Sequence, residues 1–192
     1  MKNLYPYLIE SAEEAARVAR GVTAEQLPAP TPCKEFDTRA LLNHWILYTS
    51  HGLEHRARRT QLPEALTGRD FTDAPDWAEA YAAQLRRAVD AWSEPAVWEG
   101  EIDLGGTLLP VPSVVALLLT ETVLHGWDVA RATGQEFHCS QGLAELILAT
   151  VGEHAETYRR YEGFAAPVPL PDSASSIERA LATSGRDPHW RS

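Results

Sequence analysis

Glu121 and His125 stand four residues apart in the stretch TETVLHGWDVARATGQ, behind a run of valine, leucine and alanine. At that spacing two side chains lie side by side on one face of a helix. At about 100° per residue, Val114, Leu117, Leu118, Glu121, His125 and Asp128 share one face, and Thr120, Trp127 and Arg131 fall on another. An ionised carboxylate without a partner on such an apolar face is destabilising by on the order of several kcal/mol, or its pKa shifts. Something must compensate it. A divalent cation is one candidate, because imidazole and carboxylate are ordinary ligands for first-row metals. Two histidines and a glutamate also leave one coordination position open in catalytic zinc sites.

The third ligand has to come from another element. Asp37, Leu41, His44, Leu47, Tyr48, His51 and His55 form one stripe of an earlier helix. His44 lies about two turns after the start of that helix, and His125 about two turns before the end of its own. Antiparallel helices with level ends would bring the two together. His51 would then be displaced by roughly 10 Å along the axis, at 1.5 Å per residue. His51 and His55 form a rival pair at four-residue spacing, at a helix end among Glu54, Arg56, Arg58 and Arg59 that reads as solvated. Glu-x-x-x-His alone is a weak pattern, and a core-facing histidine is more often hydrogen-bonded than metal-bound. Spacing by itself therefore leaves the metal and the non-metal readings both open. His154 reads as structural or exposed. Trp45, Trp77, Trp92, Trp98 and Trp127 read as packing residues, and Cys33 and Cys139 as small, buried or half-buried ones rather than nucleophiles.

Helices carry all of these residues. The first is expected from about Leu4 to Arg20, with Leu8, Ala12, Ala15, Ala16 and Ala19 at helical spacing and Gly21 at its end. After a loop with three prolines, Asp37 or Thr38 caps a second helix that runs to about Arg59. A long connection precedes a third helix over Asp76–Trp92. That connection is a crossover, which lets the second and third helices run parallel. Gly105-Gly106 between two short extended stretches predicts a hairpin. Pro112 and Ser113 open a fourth helix that Gly134 ends. Ser140 caps a fifth, from about Gln141 to Tyr161. A proline-rich tail then leads to a short helix whose Ser175–Glu178 spacing is that of a capping box.

Composition narrows the function classes. The chain has 192 residues, 44% of them hydrophobic, which suits one core with a small appendage. A net charge of −10 and no basic stripe argue against a nucleic-acid partner. The two cysteines form no C-x-x-C pair, so a disulfide framework or cysteine-rich zinc site is not expected. The N-terminal stretch lacks the apolar region of a signal peptide, and the longest apolar run, Val114–Leu119, is too short to span a bilayer. The expectation is a soluble cytoplasmic protein with no membrane partner.

Three segments carry a resemblance. TPCKEFDTRALLNHW resembles the TPC segment and following Asn-His motif of mycothiol-dependent maleylpyruvate isomerase-like proteins. ETVLHGWDVARATGQ resembles their Glu-x-x-x-His-Gly-Trp-Asp segment, and GRDPHW resembles the end of a short actinobacterial subgroup. These belong to the wider DinB/YfiT-like superfamily. The resemblance implies an all-α fold: a DinB-like four-helix bundle with a long crossover between helices two and three, a small β-hairpin before helix four and extra C-terminal helices. The bundle is expected over 1–165, with 166–192 as a proline-rich tail and short helix packed on it.

The resemblance also implies a divalent metal on His44, Glu121 and His125, zinc first and nickel or iron next. Asp128 is expected to orient a metal-bound histidine. It implies a low-molecular-weight thiol such as mycothiol as co-substrate, acting on an electrophilic substrate in transferase or isomerase chemistry. The alternative is a non-catalytic, metal-stabilised bundle that binds a ligand or senses one. A homodimer is left open. Two departures stand out. Phe36 occupies a position that is usually tryptophan. Only a tail and short helix follow helix five, where the isomerases resembled carry a second domain, so maleylpyruvate isomerisation itself is not expected.

Overall fold

The computed structural model describes residues 3–191. Helix α1 (Tyr5–Arg20) buries Leu8, Ala12, Ala15, Ala16 and Ala19, the stripe expected from their spacing. Asp37 caps α2 (Thr38–Ile46), its carboxylate accepting from the Ala40 N–H at 2.8 Å. The same helical rod continues through a π-turn at Leu47–His51 into α3 (Gly52–Ala57). The crossover holds a short α4 (Glu64–Thr67) and leads to α5 (Trp77–Asp90). Strands β1 (Glu101–Asp103) and β2 (Leu108–Pro110) pair antiparallel as the expected hairpin. Then come α6 (Val111–Ala132), α7 (Gln141–Arg160), capped by Ser140, and α8 (Ser176–Thr183), whose Ser175 and Glu178 form the expected capping box. The fold is an all-α bundle with one small hairpin.

Side-chain contacts fix the directions of the four bundle helices. Thr49 meets Tyr81, Glu54 meets Gln84, and the Trp92 indole donates to the Leu53 carbonyl. The α2–α3 rod and α5 therefore run parallel, as the long crossover permits. Arg20 pairs with Glu79, so the end of α1 lies at the start of α5 and these two are antiparallel. Gln135, just past α6, bonds the Val18 carbonyl near the end of α1, while Leu4 adjoins Pro112 and Ala116, so α1 and α6 are parallel. Arg59 at the end of the α2–α3 rod bonds the carbonyls of Val97 and Glu99, ahead of the hairpin that feeds α6. That rod is thus antiparallel to α6.

Two elements differ from expectation. The second helix is not regular. Leu41, Trp45, Thr49, Leu53 and Ala57 are all buried at uniform four-residue spacing. A regular helix would carry such a row around its axis by about 40° at each step. The wider π-turn takes up that drift and keeps the row on the core. Single π-turns of this kind are frequent beside functional sites. The second difference is α6, which is not amphipathic. Val115, Leu119, Val123 and Ala130 are fully buried away from the Glu121–His125 face, and Thr120 and Trp127 are buried too. Leu117, Leu118, Glu121 and His125 are only half-buried. The site thus lies on the least covered line of the central helix. In length and mean hydropathy (1.2), α6 could cross a bilayer, but 72% of that apolar window is buried against its neighbours.

Candidate metal centre

Three consecutive residues of α2 point in three directions, each about 100° from the last, and each has its own task. Asn43 clamps the crossover: its amide donates to Asp70 at 3.0 Å and its oxygen accepts from the Phe71 N–H at 2.7 Å. Trp45 locks the register against α6 by donating its indole N–H to the Thr122 carbonyl at 3.1 Å. Gly126 makes that approach feasible. A Cβ there would lie 3.0 Å from the Trp45 ring and 2.8 Å from Phe137. His44, between Asn43 and Trp45, is thereby held opposite Glu121 and His125.

The three residues expected as ligands do converge. His44 Nε2 lies 3.5 Å and His125 Nε2 3.4 Å from the same oxygen, Glu121 Oε2. One ligand atom from each of His44, Glu121 and His125 falls within 4.8 Å of the others. The two imidazole rings are 5.0 Å apart, nearly edge to face. His44 also packs on Phe36 and Tyr48, at 5.2 and 4.7 Å between centroids. Phe36 thus supplies an aromatic wall where the family resemblance expects tryptophan. His44 Nε2 is buried and has no hydrogen-bond partner. A buried polar atom left unpaired is unusual, and contacts of 3.4–3.5 Å are too long for good hydrogen bonds. An ion between these atoms would satisfy all three, so the donor set and its loose spacing fit a divalent metal.

Electrostatics agree with that fit. Burial alone would raise the Glu121 carboxyl, but the two imidazoles more than offset it and hold the group well below the usual carboxylate range. Burial alone would lower His125, but Asp128 and Glu121 overcome it and push it up to about 9. The site therefore attracts positive charge. A metal would take the place of the proton on His125, since a ligating imidazole nitrogen must be free of hydrogen.

Asp128 lies behind His125, its Oδ2 3.1 Å from Nδ1. It is fully buried, and Arg186 bonds both its oxygens, with Nε at 2.9 Å from Oδ1 and Nη2 at 2.8 Å from Oδ2. Arg186 was not legible in the sequence. The signals were the need of a buried Asp128 for a cation and the place of Arg186 in the GRDPHW segment, but nothing in the spacing pairs this arginine with a residue 58 positions away. Cys33 was expected only as a small residue, buried or half-buried. It is half-buried, but a ligand atom of Cys33, His125 and Asp128 also fall within 4.8 Å of one another. Burial pushes its thiol up, so the thiol form is favoured.

The rival histidines lie elsewhere. His51 stacks on Phe71 at 5.4 Å, and burial lowers its pKa. His55 Nδ1 bonds the Thr60 hydroxyl at 2.7 Å. Among the described residues neither joins a cluster of metal-binding side chains. His154 sits edge-on to Tyr158. A cleft of 250 Å³ lined by Cys33, Arg159, Phe164 and Arg186 adjoins the Asp128 side. A larger depression of 630 Å³ lies over Glu10, Glu13, Glu14 and His138, away from this chemistry.

Comparison with known proteins places the chain in a family. Two uncharacterized proteins of Mycobacterium tuberculosis, from strains CDC 1551 and H37Rv, are each 28% identical over 181 residues, covering 92% of this chain and 94% of their own length. No solved structure gives a significant match. The family described as "Mycothiol maleylpyruvate isomerase N-terminal domain" matches residues 8–130, which include His44, Glu121, His125 and Asp128. On that match across more than half of its length, the chain belongs to the mycothiol maleylpyruvate isomerase N-terminal domain family, within the DinB-like superfamily.

Proposed function

We propose that this protein is a metal-dependent enzyme that uses a low-molecular-weight thiol of the mycothiol type, in transferase or isomerase chemistry on an electrophilic small molecule. The observation that carries the reading is His44 Nε2, buried and unpaired beside Glu121 and His125. His44, Glu121 and His125 would hold the ion. Two imidazoles and a carboxylate suit zinc, and also nickel or iron. A divalent ion there would supply a Lewis acid that favours the thiolate of a bound thiol. This chain's own residues position the reactants: Phe36 and Tyr48 wall the His44 side, and Asp128 fixes the His125 ring. Neither cysteine is assigned a nucleophilic role.

The alternative is a metal that only staples the bundle. A purely structural zinc site is closed by four protein ligands. Among the described residues no fourth His, Cys, Asp or Glu shares the His44–Glu121–His125 cluster, which supports an open position. The test uses cobalt(II)-substituted protein titrated with small thiols, mycothiol among them. The expected result is a sulfur-to-cobalt charge-transfer band with the physiological thiol. An unchanged spectrum with every thiol, together with four protein ligands to the metal, would replace this reading with the structural one.

A further inference from the structure

We infer that Arg186 is a positioning residue of the metal centre, acting through Asp128 on His125, so that the segment after α8 completes the site. The inference rests on the proposed metal ligation by His125. It extends the site beyond the family-matched region, which ends at residue 130.

The carboxylate of Asp128 is wholly buried, and among the described residues its hydrogen-bond partners are Arg186 and His125. Its Oδ2 is shared: it accepts from Arg186 Nη2 at 2.8 Å and lies 3.1 Å from His125 Nδ1. The planar guanidinium grips both oxygens and so fixes the plane of the carboxylate. A fixed carboxylate in turn fixes the imidazole ring and favours the tautomer with hydrogen on Nδ1 and a lone pair on Nε2. Nε2 is the atom aimed at Glu121. Arg186 is itself held from behind, its Nη1 donating to Ser184 Oγ at 3.0 Å, and Ser184 Oγ donating to the Leu181 carbonyl. Leu181 is buried in α8. A continuous chain of bonded atoms thus runs from α8 to the metal-facing nitrogen. Charge balance gives the arrangement a second reason. A buried carboxylate left to His125 alone would lack a compensating cation whenever the ring is neutral, and Arg186 supplies a permanent one.

The test measures metal affinity by chelator competition, together with thermal stability in excess chelator. Arg186→Gln should weaken metal binding about 10–100-fold, the usual effect of removing a partner that orients a ligating histidine. Arg186→Lys, which restores the charge but not the fork, should recover only part of the loss. Ser175→Ala removes the α8 capping box without touching Asp128; it should lower stability and leave the affinity unchanged. Asp128→Asn should weaken binding like Arg186→Gln, and the double variant should bind no more weakly than the poorer single one, because both act through one path. The double variant leaves no unpaired charge at positions 128 and 186, so it keeps the test alive should Arg186→Gln alone not fold; its own affinity is then expected 10–100-fold below that of the unmodified chain. Unchanged affinity in the Arg186 variants, or in that double variant, overturns the inference, as do losses that simply add. If instead the unmodified chain binds no metal, or His125→Ala binds it fully, the metal reading has failed and not the role of Arg186 within it.

Discussion

Two glutamates in this protein each lie against histidine, and they are bonded in opposite ways. Glu14 on α1 accepts from Arg17 at 2.8 and 2.7 Å and from the His138 N–H at 2.6 Å, so both its oxygens have short, well-formed partners. It ties the loop after α6 to α1. Among the described residues Glu121 on α6 has only imidazole nitrogens, at 3.4 and 3.5 Å, and one of these nitrogens has no hydrogen bond. The same residue types therefore make a closed structural pin in one place and an open donor cluster in the other. The lesson lies in the unsatisfied atom: among the described residues only His44 Nε2 and Arg131 Nε are buried without a hydrogen-bond partner, and of these only His44 stands beside a carboxylate and a second imidazole as a donor for an outside ion.

The sharpest way to break the comparison is to remove one ligand from each cluster and measure metal. About one divalent ion per chain is expected after gentle purification, and His125→Ala should abolish most of it. Full occupancy in that variant, read by elemental analysis, would end the distinction drawn between the two glutamates. Glu14→Ala should leave metal content unaltered.

Gly126→Ala should act on stability and metal together. Its Cβ would press on Phe137 and the Trp45 ring, and forcing that contact costs about 1–3 kcal/mol. Because Trp45 sets the register of α2 against α6, metal affinity should fall as well. Denaturant unfolding of the metal-free protein reads the first effect and chelator competition the second.

The Glu14 pin should show itself in stability alone. Glu14→Gln should cost about 1.5 kcal/mol, from weaker hydrogen bonds to Arg17 and the His138 N–H. The pH dependence has a definite sign. Burial would raise the Glu14 carboxyl, but Arg17 and the His138 N–H outweigh it, so its folded pKa lies below the ordinary value of 4.5. Its contribution is then fully present above pH 4.5 and is lost as pH falls through the lowered folded value. The difference in unfolding free energy between Glu14→Gln and the unmodified chain should shrink on acidification. A difference that grows instead would remove the pin.

The smallest effect is expected at His55. It bonds Thr60 and lies in no donor cluster among the described residues. His55→Ala should change stability by less than about 0.5 kcal/mol and metal content not at all. Loss of metal in that variant would restore the His51–His55 pair as a candidate.

Much of this is legible in the sequence. Capping by Asp37, Ser140 and Ser175, the Gly105-Gly106 turn and the helical stripe of α1 are local effects, set by residues within a few positions of one another. Glu121 and His125 belong together for the same reason, because four-residue spacing on a helix already makes them neighbours. The π-turn at Leu47–His51 was not legible. It answers a long-range demand, that Trp45 and Leu53 both face a core built by α5 and α6. Nor was the burial of α6 on nearly every side, since periodicity describes one helix and not the number of helices around it.

By itself the sequence determined the helices, their ends and the pairing of Glu121 with His125, because propensity, capping and helical spacing act over a turn or two. Helix register in the sequence favoured His44 as the third residue, but only tertiary structure brings it to them. His44, His51 and His55 are chemically alike and share one rod, and the choice follows from the Trp45–Thr122 bond and the close approach at Gly126. It also decided that the carboxylate behind His125 is held by Arg186. A buried charge must find a cation, but which cation reaches it depends on how the chain returns through space.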